Sequence, residues 1–393
     1  MTRPAAKGWC PSAHAPMMSG DGLLVRIKPR FGQYKDTDLH ALANLAETYG
    51  NGVIDLTSRA NLQLRGVRED SYPDLLDALQ DAGLVDADPL IEQLNLLMAP
   101  FTQKDSLGWR CAVQLYQAAG GLLSPRFAKL LAQMPAKFGF AVDCGAVRYI
   151  DGAFSDICIE CDEKGALIIR CAGTEAGFHI DENQLVDVLC DVMGWYLTAQ
   201  PKEEGAKILR MRDAVKIQPP KPDWQKVKPV QHKQILGVGA TGDGVVLAAA
   251  YGQLSARDLR QIAARNKNII CTINRQLIVQ TSDGLSGQFI QDANDSRLQI
   301  AVCPGQPHCA SASVQTRALA DKLVAQNALP PHTSLHISGC EKGCAAPAQR
   351  DVCITGQAGL FDMIEKGCAW DAPSVRSLDE VGVMAHVGAL WGK

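Results

Sequence analysis

The feature that most constrains this chain is that it repeats itself. DGLLVRIKP (21–29) reads as a strand, and in the following DTDLHALANLAETYGNG the residues Leu39, Leu42, Ala43, Ala46 and Tyr49 recur at helical spacing, with Gly50 and Gly52 as a stop. VIDLTSRANLQLRGV then alternates as a half-buried strand does. The same order returns after residue 240: DGVVLAAAYG is a strand, Ser255 and Asp258 form a capping-box start for a helix carrying Leu259, Ile262 and Ala263, and NIICTINRQLIVQTSDG is a second β-branched strand. Leu39 stands opposite Leu259 and Arg59 opposite Arg275, offsets of 220 and 216 residues that one shorter connection reconciles. A duplicated strand–helix–strand unit predicts two similar half-domains.

A chain of 393 residues exceeds the roughly 250–300 at which one hydrophobic core stops growing, so each half has room for more than the repeated unit. KIQPPKPDWQKVKPVQHK (216–233), rich in proline and lysine, suits an extended linker between the copies. The expected organisation is an N-terminal extension (1–20), a small αβ unit (21–85), a larger αβ segment (86–205), a linker (206–233), a second small unit (234–295) and a second larger segment (296–393).

Charge excludes some partners. With a net charge of −3 and no basic bias, nothing global points to nucleic acid, and any anion site must be built locally. The first residues lack the apolar run of a secretory signal, and GVVLAAAYG (244–252) is far short of the ~20 residues that cross a bilayer. The expectation is a cytoplasmic protein without a membrane partner, whose 14 cysteines are thiols or metal ligands.

Four of those cysteines form a pattern. Cys303, Cys309, Cys340 and Cys344 read C-x5-C-x30-C-x3-C. The first pair lies in CPGQPHC, where Pro304 and Pro307 forbid a regular helix, and the second is flanked by Gly339 and Gly343, which let backbone crowd around a bulky object. Four thiolates from two loops suit a [4Fe-4S] cube. Zinc also takes four thiolates, though usually from closer-spaced pairs, and unrelated buried thiols are the plain alternative. Cys158 and Cys161 form CIEC, which looks like a redox dithiol. It sits in a strand-like alternation that points the two to opposite faces, so buried structural thiols are expected. Cys10, in GWCPSAHAPM, is left open.

The two cysteine pairs, the duplicated unit and LTSRANLQLRGV together resemble the siroheme nitrite and sulfite reductases, over most of the chain. That resemblance implies an α+β fold with internal duplication, two ferredoxin-like half-domains and two larger αβ segments around a central tetrapyrrole cleft. It implies a [4Fe-4S] cluster on Cys303, Cys309, Cys340 and Cys344, with Cys344 at the position that bridges to the tetrapyrrole iron. The arginine of the family's Thr-Arg-Gln motif falls on Arg59 and the lysine of its Pro-Arg-Lys motif on Lys137. Both suit a macrocycle bearing many carboxylates. Arg275, which repeats Arg59, is the further candidate; Arg26, Lys28, Arg65 and Arg148 are weaker ones. The chain departs from the reductases at Leu94, where an arginine precedes the asparagine, and at Gly139, which replaces a second lysine of the sulfite enzymes.

GWCPSAHAPMMSGDGLLVRIKP, the cluster linker and MPAKFGFAVD are closer to the precorrin-3B synthase branch of the superfamily. There the tetrapyrrole, precorrin-3A, is the substrate. That branch implies an O2-dependent monooxygenase with one [4Fe-4S] cluster and a mononuclear non-haem iron, supplied with electrons by an external donor, since the chain shows no dinucleotide fingerprint. The alternative is a siroheme-dependent nitrite or sulfite reductase. No 2-His-1-carboxylate pattern stands out, and His308 and His14 are iron-ligand candidates by location only.

Overall fold

A computed structural model describes residues 11–150, 155–203, 205–206, 208–326 and 328–391; Cys10 lies outside them. The first copy runs β1 (Met17–Ser19), β2 (Gly22–Ile27), β3 (Gln33–Lys35), α1 (Asp36–Tyr49), β4 (Val53–Leu56), β5 (Leu62–Val67) and α2 (Tyr72–Asp81). The larger segment follows: α3 (Pro89–Gln93), β6 (Asn95–Met98), α4 (Leu107–Ala119), α5 (Pro125–Leu131), β7 (Gly139–Asp143), β8 (Ile157–Cys161), β9 (Leu167–Cys171), β10 (Phe178–His179) and α6 (Leu185–Thr198). After α7 (Met211–Ile217) the pattern returns as β11 (Gly239–Thr241), β12 (Gly244–Ala249), β13 (Gln253–Ser255), α8 (Ala256–Ala263), β14 (Asn268–Thr272), β15 (Gln276–Val279) and β16 (Phe289–Ile290). It closes with β17 (Ile300–Val302), α9 (Thr316–Ala325), β18 (Leu335–Ser338), β19 (Arg350–Gln357), β20 (Leu360–Gly367), β21 (Val375–Leu378) and α10 (Glu380–Leu390).

The repeat extends to single residues. Leu39 and Leu259 each occupy the fourth position of their helix, α1 and α8, and are fully buried. Between β2 and β3 the chain turns through Phe31 at φ 53°, and between β12 and β13 through Tyr251 at φ 56°. Each turn ends in a left-handed glycine, Gly32 or Gly252. Two bulky residues held in a conformation costly to side chains, at matching places, mark a turn that the fold requires.

What that turn achieves is an exchange of strands. The first small sheet has the order β1-β2-β5-β4-β13 and the second β11-β12-β15-β14-β3, so each copy lends one three-residue strand to the edge of the other's sheet. Gln253–Ser255 pairs antiparallel with Val53–Asp55, and Gln33–Lys35 with Asn268–Ile270. One continuous core holds Leu39, Leu42, Ile54, Leu62 and Leu64 of the first copy together with Leu254, Leu259, Ile262 and Leu277 of the second. The small units therefore form a single body.

The two larger sheets have matching topology. In the first, β6, β7 and β8 are parallel and β9 and β10 return antiparallel; in the second, β17, β18 and β19 are parallel and β20 and β21 return. Each has its own core. Cys158 and Cys161 lie in β8 and are both buried, as strand thiols. The stretch 216–233, expected as an extended linker, is held along the first large sheet. Gly177 bridges Val227, Arg148 bridges Lys233, and Val230 is buried.

Candidate functional site

The polar face of the first small sheet explains the site. Strand alternation sends Ile54, Leu56, Leu62 and Leu64 into the core and turns Asp55, Gln63 and Arg65 the other way. Here that other face is covered. Arg65 is only 1% exposed: its guanidinium closes on Asp21 (3.0 Å) and Asp55 (2.7 Å) and donates to the carbonyl of His308 at 2.9 Å. Burial opposes its charge, but the two carboxylates raise its pKa above the ordinary value. Ser19 Oγ donates to the same carbonyl at 2.7 Å, and His308 Nδ1 lies 3.0 Å from Asp21 Oδ2. Arg317, near the start of α9, reaches Asp55 at 3.4 Å, with Nε and Nη1 buried and unpartnered. A network of Asp21, Asp55, Arg65, His308 and Arg317 thus locks the first small sheet to the loop between β17 and α9.

That loop carries Cys303 and Cys309; the loop after β18 carries Cys340 and Cys344. The two loops leave the carboxyl ends of adjacent parallel strands and are stitched together: Ser313 N–H donates to Gly339 O at 3.0 Å, and Gly339 N–H to Cys303 Sγ at 3.0 Å. Cys303 is buried, which raises its thiol pKa, while the N–H groups of Gly339 and Gly305 oppose the rise. The glycines are required by crowding. A Cβ on Gly339 would stand 2.5 Å from Ala312 Cβ, and one on Gly20 2.7 Å from Ala310 N, where β1 passes the loop. Thr316 Oγ donates to Cys303 O and Ser338 Oγ to Cys340 O, both at 2.7 Å. Four thiols on two hydrogen-bonded loops, with a backbone N–H aimed at one sulfur, have the chemistry of a thiolate-bound cluster, although among the described residues the four do not gather around one point.

Between the first small unit and the first large sheet lies a small polar cleft lined by Arg26, Lys28, Arg59, Asn61, Asn95 and Ala136, among others. Arg26 donates to Gln63 at 3.2 Å and keeps Nε buried without a partner; Lys28 donates to the carbonyl of Glu92. Of the residues expected to hold a tetrapyrrole, Arg59 lines this cleft, and half-buried Lys137 directly follows Ala136. Arg275 lies elsewhere, packed under Gly252 with Asp55 as a charged neighbour; burial lowers its pKa. Arg65 and Arg148 are structural, Arg148 pairing with Glu160 at 3.2 Å. Leu94 is 2% exposed in the first large core, so position 94 does not face the cleft.

The histidines are engaged: His14 Nε2 meets the carbonyl of Asp86 at 2.8 Å, and His308 meets Asp21. Among the described residues no three of His, Cys, Asp and Glu gather around a point that would hold a single metal ion, so no ligand set for a mononuclear iron emerges. No helix among them is long and apolar enough to cross a membrane. Asp21, Asp55 and Arg317 were not legible as site residues, because charged residues in a turn, on the polar face of a strand and in a helix's first turn ordinarily face solvent.

Comparison with known proteins agrees with this geometry. The profile of the nitrite/sulfite reductase ferredoxin-like half domain matches residues 15–82. A precorrin-3B synthase from Sinorhizobium sp. is 27% identical over 98% of this chain and 88% of its own length. A ferredoxin–nitrite reductase from Synechococcus elongatus is 24% identical over 93% of this chain and 81% of its own. The solved structure of Mycobacterium tuberculosis NirA shares the fold, with a TM-score of 0.59 at 17% identity, over 91% of this chain and 77% of that one. The half-domain match and the full-length likenesses make this chain similar to the nitrite/sulfite reductases and to precorrin-3B synthase, and NirA shares its fold.

Proposed function

We propose that this protein is a precorrin-3B synthase: an O2-dependent monooxygenase that hydroxylates a meso carbon of precorrin-3A and closes a γ-lactone with a ring acetate. The observation that carries the reading is the likeness to precorrin-3B synthase along nearly the whole chain. The grouping of Arg26, Lys28 and Arg59 around one small cleft supports it. One oxygen atom enters the product and the other leaves as water, which consumes two electrons and two protons. An external donor supplies the electrons.

In this reading Cys303, Cys309, Cys340 and Cys344 hold a [4Fe-4S] cluster, which when bound passes electrons one at a time. Arg59 and Lys137 hold substrate carboxylates, with Arg26 adding a buried N–H that has no partner among the described residues. Arg275, packed under Gly252 outside this cleft, is assigned no carboxylate. The Arg65 network fixes the cysteine loop against the sheet that carries Arg26 and Arg59, so cluster and substrate keep one spacing. The mononuclear iron belongs to the proposal through the family alone.

The test is an absorbance spectrum of anaerobically purified protein with iron and sulfide assays, an acid-acetone extraction for pigment, and an assay with precorrin-3A and O2. An iron–sulfur band without extracted pigment, and turnover of precorrin-3A, is the expected result. Near-stoichiometric siroheme would overturn it in favour of an anion reductase.

A further inference from the structure

The hydrogen-bond ladders superpose the two large sheets residue by residue. Ala99 N–H donates to Val142 O at 2.9 Å as Cys303 N–H donates to Ile337 O at 3.2 Å, so Ala99 takes the place of Cys303. One residue beyond Val142 and Ile337, Asp143 takes that of Ser338, and two residues further Gly145 takes that of Cys340. The carboxyl edge of β6 and β7 is therefore the counterpart of the cysteine-bearing edge, with both of those cysteine positions replaced.

That edge is not filled. It holds a cavity of about 360 Å³, whose walls include Phe101, Leu107, Val147 and Tyr149, with Asp143 at the end of β7. Small-molecule sites begin at roughly 300 Å³, and crevices at the carboxyl ends of parallel strands are where open α/β sheets take ligands. A single water occupies about 30 Å³ of liquid, so one water bound to the aspartate would leave most of the space empty.

Asp143 gives the cavity its chemistry. It is 1% exposed; Oδ2 accepts the N–H groups of Tyr149 (2.7 Å) and Ile150 (2.8 Å), and Oδ1 is buried with no hydrogen-bond partner among the described residues. Among the described residues no basic side chain pairs with it, because Arg148 and Arg170 both close on Glu160. A buried carboxylate with an unpaired oxygen and no ion-pair partner is costly unless something supplies both a proton donor and a positive charge.

We propose that this cavity is a second binding site, separate from the cysteine loops, for a small organic cation that presents N–H donors to Asp143 Oδ1 and rests an apolar body on Phe101, Leu107, Val147 and Tyr149. Aromatic faces beside a carboxylate suit such a cation twice over. An anion would be repelled.

Benzamidinium is the probe, since its planar N–H pair complements a carboxylate, and benzamide is the neutral comparison. Calorimetry on the full chain, as purified with its cofactors, should give one saturable site per chain for benzamidinium and at least tenfold weaker binding of benzamide. Asp143→Asn should weaken benzamidinium at least tenfold. Ala146→Trp should do so by filling the exposed rim without touching the Asp143 hydrogen bonds, and it decides the matter if Asp143→Asn fails to melt cooperatively. Equal binding of the two probes, binding that survives Ala146→Trp, or no saturable binding at millimolar concentration would each overturn the proposal.

Discussion

Two edges of this molecule share a backbone and differ in chemistry. At the end of β18 the ladder delivers Ser338, Gly339 and Cys340; at the end of β7 it delivers Asp143, Cys144 and Gly145. One strand inward the two halves still agree. Cys158 of β8 and Cys353 of β19 hold matching register positions, and burial pushes their thiols up to about 11 and about 12. The strands keep what packing needs, and the loops beyond them are free to diverge, because a loop residue answers to its ligand more than to the core. The other difference lies in what stands against each edge. The Arg65 network and β1 brace the cysteine edge, whereas the opposite edge opens on a cavity.

The sharpest way to break the comparison is to make the cysteine edge like its counterpart. Cys303→Ala installs the residue that the first half carries at that register. Under the proposed function, iron and acid-labile sulfide per chain should drop to near zero and the cluster absorbance should vanish, while far-ultraviolet circular dichroism persists. A variant that keeps four irons and four sulfides would show that Cys303 is not a ligand.

The brace is the next target. Arg65→Met leaves Asp21 and Asp55 buried without their shared cation, and breaking a buried pair in this way costs about 3–5 kcal/mol. Urea titration should show a loss of that order. Arg260→Ala, which removes an exposed pair with Glu47 between α1 and α8, should leave the midpoint unchanged within error. If the two variants fell by similar amounts, the network would be no brace.

Much of this was legible before the structure. The duplication showed through helical spacing and capping residues because α1 and α8 are amphipathic and bury the same face against one another. The strand exchange did not show, since Gln33–Lys35 and Gln253–Ser255 are three residues each, too short for any periodicity. The cysteine spacing pointed to two loops, and in the structure hydrogen bonds stitch those two loops together. Arg65 read as one basic residue of a half-exposed strand, because nothing local in LQLRGV tells that a loop more than 240 residues away covers it. Asp143 was invisible for the opposite reason: an aspartate ending a strand is an ordinary turn residue, and its burial depends on a cavity that only the fold encloses.

The remaining predictions use acid to separate the halves. His336, in β18, is fully buried, with Nδ1 3.4 Å from Cys353 Sγ and Nε2 unpartnered. Its first-half counterpart in the ladder is Ala141. Burial, and then the charge of Arg350, lower its pKa from 6.5 to about 4. A depressed histidine contributes stability that is present above pH 6.5 and lost as pH falls towards 4, because the unfolded chain binds the proton first. At about 1.4 kcal/mol per pH unit the loss is on the order of 3 kcal/mol. His336→Gln should flatten the fall in urea midpoint between pH 6.5 and 4; an unchanged slope would locate the acid sensitivity elsewhere.

Asp143 works in the opposite direction and should give the smaller effect. Burial raises its pKa from 3.8 to about 6, the N–H groups of Tyr149 and Ile150 pull it down, Glu160 adds to the rise, and Arg148 opposes it. A raised carboxyl favours the folded state below pH 4, and that contribution is lost as pH rises through 6, since the unfolded chain gives up the proton earlier. The cost of carrying the ionised group at neutral pH is on the order of 2–3 kcal/mol. Asp143→Asn, which keeps an acceptor for the two N–H groups, should therefore remove a decline in stability between pH 4 and 6 that the unaltered protein shows. A bound cation should do the same from outside, because it supplies the charge that the first half lacks at this edge. If benzamidinium raised the midpoint at pH 8 and not at pH 4, the carboxylate would be the group it meets; an equal gain at both would place the contact on the apolar wall.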